Sequence, residues 1–422
     1  MGIPQDRAAC AVLGREWLLH GHLQDRLGMA LVMEKASREE MQEVAIDEWM
    51  AASPIYSARM QRAMSFAGDG VDTILKNLQL DIGAPHEFMD FKFRLLDRDH
   101  GEFWLAHCGA LMDVEPMGVE FVHGMCHAIE DPTFDATAGA TNPLAQVRPL
   151  HRPPRVPANR TPHCHWRVDI VAGQTEVEPH ANQALVDASR IATLDRPSVP
   201  ADGEEEGMRD YSGQFVTELR LEDFSVSAQH VLLHEFAVQS HLLLRSLLVT
   251  VSRRWGSQFA RQLVPRLTSG WAAVTAQRLK AAFDLGDDAA GLAGMLQLHP
   301  IFHPDSYVAL HVAVEDDQTV RFGFGVEAVA ALEADDFTWF SQLGGAMDDA
   351  LERIIQGFNP CATVRAITPG AGELHAYRAV IDPTATPAAE FAELAIAKIT
   401  TGAAFRFAQA QAKLLPTSGG LV

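Results

Sequence analysis

Two groups of side chains in this sequence have the spacing for chemistry. In His123-Gly-Met-Cys126-His127, a helix would put His123, Cys126 and His127 at i, i+3 and i+4, hence on one face. An imidazole one turn from a thiol can lower the thiol's pKa, serve as base to a thiolate, or share a metal with it. Cys126 is therefore the candidate nucleophile, with His123 or His127 as base. The competing reading packs Cys126 inward as a small hydrophobe and leaves the histidines at the surface. The second group is Glu16, His20 and His22, in which Glu16 and His20 lie one turn apart on a very apolar helix. Joined by Cys126, the set Glu16, His20, His22 and Cys126 would suit a divalent transition metal, zinc or iron. The alternative is a buried network of glutamate, histidine and the arginines Arg26 and Arg245, because buried charges are normally paired.

Two weaker signals follow. Gln297-Leu-His299-Pro-Ile-Phe-His303-Pro marks a helix end and a strand entry, where His299, like Asp81 in the matching stretch near the start, would cap a helix or line a pocket. In His163-Cys164-His165-Trp166, strand alternation sets the two histidines on one side and Cys164 on the other. No P-loop, no GxGxxG, no GxSxG elbow and no HExxH occurs, so nucleotide-dependent and ordinary serine-hydrolase chemistry have no local support.

The elements that must position these groups occur twice. When the chain is slid along itself, His22 falls on His241, Glu16 on Glu235, Arg26 on Arg245 and Arg59 on Arg278 at one spacing. After a single-residue loss, Leu78-Gln79 meets Leu296-Gln297 and Asp99 meets Asp317. After another, Asn142-Pro143 meets Asn359-Pro360. Each copy opens with a long apolar-periodic helix (11–36 and 226–254). Further helices follow at 38–50, 53–66 and 70–79, and at 256–268, 270–284 and 287–297. Then come a hairpin (86–97 with 102–111; 306–314 with 319–326), a helix (115–129; 333–356) and two extended segments. The expected fold class is α+β: a duplicated unit of N-terminal helices, a β-hairpin, a helix and further antiparallel strands. The expected boundaries are 1–193 for the first repeat, 194–213 for an exposed acidic Pro/Gly linker, and 214–422 for the second. At the positions of His123, Cys126 and His127 the second copy has Ser341, Gly344 and Gly345, so reactive groups survive in the first repeat alone.

A net charge of -21 makes nucleic acid and anionic membrane surfaces poor partners. Five cysteines without a CxxC pair argue against a disulfide framework. The N-terminus lacks a basic segment followed by an apolar run, and the apolar stretch 231–251 is interrupted by His234, Glu235, His241 and Arg245. A cytoplasmic protein is expected.

Met125-Cys-His-Ala-Ile-Glu-Asp-Pro-Thr-Phe134, continuing to Asn142-Pro143, Arg148-Pro149 and Cys164-His-Trp166, resembles the amino-thiazoline-carboxylate hydrolase-like family over residues 50–170. The resemblance implies hydrolysis of a small organic molecule, with Cys126 at the matching reactive position; Gly344 at that position puts the second repeat's activity in doubt. The chain is also similar to duplicated actinobacterial-type proteins, which implies no activity. The expectation is a metal- or thiol-dependent hydrolase of a small organic substrate, with the first repeat catalytic. The alternative is a non-catalytic protein for an apolar ligand, or a subunit of a complex. A pocket between the repeats would hold the small molecule, and a homodimer is compatible with either reading.

Overall fold

The computed structural model describes residues 2–200, 206–335 and 337–408. In the first half, α1 (Arg7–Val32), α2 (Arg38–Ala63) and α3 (Val71–Gln79) precede β1 (Met89–Leu95) and β2 (His100–Cys108). Short helices α4 (Gly109–Val114) and α5 (Val119–His123) follow, then a π-helical turn Gly124–Ile129 and α6 (Glu130–Gly139). Strands β3 (Ala145–His151) and β4 (Cys164–Ile170) and helix α7 (Gln183–Asp187) complete it. The second half repeats the plan with α8 (Val226–Trp255), α9 (Ser257–Ala282), α10 (Ala289–Leu298), α11 (Asp305–Val308), β5 (Leu310–Val314), β6 (Thr319–Gly325), α12 (Val329–Ala334), α13 (Ala346–Phe358), β7 (Ala362–Ile367), β8 (Glu373–Ile381), α14 (Ala392–Ala397) and α15 (Thr401–Ala404). Both sheets are antiparallel, in the orders β1-β2-β4-β3 and β5-β6-β8-β7. The α+β class and the duplicated layout are thus observed.

Local sequence sets the helix starts. Asp6 accepts from Ala9 N at 2.9 Å to open α1. Ser37 and Glu40 form a reciprocal capping box on α2, at 3.2 and 2.8 Å. Ser225 caps α8. The helices expected at 38–50 and 53–66 are one helix, α2, which runs through Pro54; α9 likewise runs through Pro265. An interior proline costs ~3 kcal/mol. Both helices absorb it because they are buried along most of their length: Val44, Ala45, Ala51, Ala52 and Ile55 share one core with Leu243, Leu247 and Val251 of α8. The segment expected as an exposed linker, 194–213, is anchored at both ends, with Leu194 and Tyr211 buried in the helical core.

The halves are locked by ion pairs that obey the internal symmetry. Arg59 of the first half donates Nε and Nη2 to Glu235 of the second, at 3.0 and 2.8 Å. Arg278 of the second donates the same two nitrogens to Glu16 of the first, at 2.7 and 2.9 Å. The Nη1 of Arg59 reaches Ala192 O and Leu194 O, both at 2.8 Å. That of Arg278 reaches Gly402 O and Phe405 O at 3.0 and 2.7 Å. All four side chains are almost wholly buried. Each arginine therefore joins the opening helix of the other half to the closing segment of its own.

The closing segments also cross over. Asp335, in the second half, accepts from the backbone N–H groups of Arg190 and Ile191 at 2.6 and 3.1 Å. Asp113, in the first, accepts from Thr401 N at 2.6 Å and Thr400 Oγ1 at 2.5 Å. Removing one partner of a buried pair strands the other's charge at a cost of about 3–5 kcal/mol, whereas replacing both with apolar groups is often near neutral. Arg278→Met should therefore lower the urea midpoint far more than Arg278→Met with Glu16→Met together. Equal losses in the two variants would show that the pair is not what holds this interface.

Candidate functional site

The structure disperses the four residues grouped as metal ligands. Glu16 spends both oxygens on Arg278. His20 is buried, bonded through Nδ1 to Thr275 Oγ1 at 2.7 Å, with its ring against Trp271. His22 meets Asp113 at 3.1 Å. Cys126 lies in the core under the first sheet, with Phe103, Cys164 and Trp166. Among the described residues, no group of three or more His, Cys, Asp or Glu side chains is placed to hold a metal ion. The buried glutamate network foreseen for α1 and α8 exists, but its arginines are Arg278 and Arg59 from the opposite halves rather than Arg26 and Arg245.

The Cys126 triad also separates, because residues 124–129 form a π turn rather than an α-helix. The extra residue per turn rotates the i, i+3, i+4 stripe off a common face. Cys126 turns inward, and burial, then the nearby Glu130 carboxyl, hold its thiol protonated far above the usual range. His123 and His127 lie with tilted rings 4.4 Å apart and line a shallow outer cleft with Arg38 and Asp131. His127 Nε2 is bonded to Pro153 O at 2.6 Å. A low-pKa thiolate needs a cationic or N-terminal helix environment; Cys126 has an apolar one.

The remaining candidates have structural partners. His299 accepts from Ile301 N at 3.2 Å and bonds Ala272 O at 3.0 Å. Asp81 accepts from Gly83 N and Tyr56 OH. His163 accepts from Cys108 N, and His165 bonds Glu102.

A different site is built where the two halves meet. A cavity of about 210 Å3 is bounded by Met29, Ala30 and Met33 on α1, Met41 on α2, Met117 and Phe121 beside α5, Met125 and Ile129 on the π turn, and Ile396 and Ile399 from the second half. Five of the chain's 14 methionines are here; such walls are apolar, polarizable and adaptable. The π turn points Met125 and Ile129 into this space, and π turns recur at functional sites. Gly124 opens the turn because Gln42 lies where a side chain would begin, 2.2 Å from an added Cβ.

The cavity has a polar end. Arg26 donates Nε and Nη2 to Asp25 Oδ2 at 2.9 and 2.6 Å, and Trp49 Nε1 donates to Asp25 Oδ1 at 3.0 Å. Asp113 stands alongside, holding His22, Thr400 and Thr401. Burial pushes the Asp113 carboxyl upward, but the bonds from His22, Thr400 and Thr401 outweigh it and bring it down to about 2. Glu130 is pushed up to about 8, by burial first and Asp131 second. Glu48, fully buried with neither oxygen bonded, is raised by burial and by Asp25. At the matching positions of the second half, Asp25, Met29, Met33 and Glu48 become Leu244, Leu248, Ser252 and Leu267. Of the polar side chains that line the cavity, Arg26, Gln42 and Asp113 come from the first half and Thr400 from the second.

No family model, curated protein or solved structure matches this chain.

Two outcomes follow. Asp113 has a folded pKa near 2 against an ordinary 3.8. Its contribution of about 2 kcal/mol is fully present above pH ~4 and is lost as pH falls towards ~2. Urea unfolding at stepped acid pH should show that loss in the wild type and a flatter profile in Asp113→Asn; parallel profiles would remove Asp113 from the account. Thiol alkylation under native conditions should modify the half-buried Cys361 first and Cys126 only on unfolding. Rapid native labelling of Cys126 would restore it as a reactive group.

Proposed function

We propose that this chain is a non-catalytic binding protein for a small apolar molecule, held in the methionine-lined cavity between the first half and the end of the second. The observation that carries the reading is the lining itself: a compact apolar space with one polar end, contributed by both halves. Its volume is below the ~300–1,000 Å3 of drug-sized sites, so the ligand is small. The rim supports access, since Met117 and Ile399 are 53% and 79% exposed although both are large and apolar.

The hydrolase reading rests on residue types and on the resemblance around Cys126. Cys126, His123 and His127 are not gathered at the cavity, and Cys126 is buried behind its wall. A cytoplasmic setting accords with five unpaired thiols. Among the described residues no helix is long and apolar enough to cross a membrane.

The test uses 13C-methyl methionine spectra during titration with a medium-chain alkylbenzene. Saturable shifts confined to the resonances of Met29, Met33, Met41, Met117 and Met125, abolished by Ala30→Phe with the fold retained, are expected. Shifts spread over all methionines, or none up to the probe's solubility, would overturn the reading.

A further inference from the structure

Resting on that binding reading, the arrangement at the polar end says what kind of molecule fits. We propose that the ligand is uncharged and carries one hydrogen-bond acceptor, such as a ketone, ester or amide carbonyl, which Nη1 of Arg26 engages at the cavity's polar end.

The guanidinium of Arg26 has three donor-bearing nitrogens. Two are spent on Asp25, and its Nη1 contacts the thioether of Met125 at 4.0 Å. Sulfur is a weak acceptor, so this nitrogen is under-satisfied in an apolar setting. The side chain is only partly exposed, and a ligand oxygen would give this donor the strong acceptor it lacks.

Charge selects against an anion. Around the one cation, Arg26, stand two carboxylates, Asp25 and Asp113, both within reach of it. His22, the imidazole in contact with Asp113, is lowered by burial. One guanidinium thus faces two carboxylates, and a carboxylate or phosphate entering this partly buried end would meet repulsion from both. A cation would be drawn by the two carboxylates, but both of those beside Arg26 are already engaged by donors. Asp25 already takes three donors, two from Arg26 and one from Trp49. Asp113 takes His22, both threonine hydroxyls and Thr401 N. A neutral acceptor alone satisfies Nη1 without disturbing these bonds.

The second half takes part. Thr400 and Thr401 clasp Asp113, and the same segment carries Ile399 on the cavity wall. The segment that closes the cavity is thus the one that occupies Asp113.

The experiment is isothermal calorimetry with four medium-chain probes of matched size: a methyl ketone, a fatty acid carboxylate, a primary alkylammonium and an alkylbenzene. The ketone should bind at least about tenfold tighter than the carboxylate and the ammonium. Arg26→Met should cut the ketone's advantage over the alkylbenzene by about tenfold. Carboxylate or ammonium binding as tight as the ketone's, with the alkylbenzene still bound, would overturn this ligand class and leave the apolar-binding reading standing. Failure of all four probes would overturn both. If Arg26→Met does not fold, the four wild-type affinities decide the matter.

Discussion

Two reciprocal buried ion pairs, Glu16–Arg278 and Arg59–Glu235, are the constraint on which the rest of this structure depends. Each is bidentate, each crosses between halves, and each arginine spends its remaining nitrogen on carbonyl groups of a closing segment. Buried charges are tolerable only when fully satisfied, so these pairs admit one relative placement of α1, α2, α8 and α9. The apolar core between those helices supplies bulk cohesion without direction. The pairs supply register.

That register brings the cavity into being. The closing segment of the second half meets Asp113 through Thr400 and Thr401 while Arg278, beside Glu16, holds its Gly402 and Phe405 carbonyls. Ile396 and Ile399 then face Met29 and Met125. The corresponding exchange at Asp335, which holds Arg190 and Ile191, follows the same plan on the opposite side. There, leucines stand in place of Asp25 and Glu48, so the duplication has kept its architecture in both halves and the buried acids behind the cavity's polar floor in one.

The first half pays for that floor with awkward electrostatics. Glu48 is sealed in without a partner, and Glu130 sits beside three buried thiols with a pKa near 8. Burial raises both carboxyls, whereas the bonds it receives lower that of Asp113. Cys126, the most suggestive residue in the sequence, is buried in the same neighbourhood: the π turn that carries Met125 and Ile129 on the cavity wall places the thiol in the sheet's core.

Periodicity and self-similarity, which are local or register-based properties, were enough to read the duplicated α+β plan, the two hairpins and the long opening helices. The recurrence of Glu16 with Glu235 and of Arg59 with Arg278 already contained the interface, since two acids and two bases repeated in apolar helices must find partners. What sequence could not decide was which arginine each glutamate takes; Arg26 and Arg245 are nearer along the chain, but the exchange is between halves, a relation that spacing does not encode. Helix continuity through Pro54 and Pro265 was likewise hidden, because burial against α8 and the central core overrides a local penalty. The helical face expected for His123, Cys126 and His127 is altered by a wider turn over 124–129, a backbone conformation that the identities of these three residues do not encode. The clustering of Met29, Met33 and Met41 was visible as composition, but a cavity is a property of surfaces that meet, and Met125 and Ile399 join them only in three dimensions.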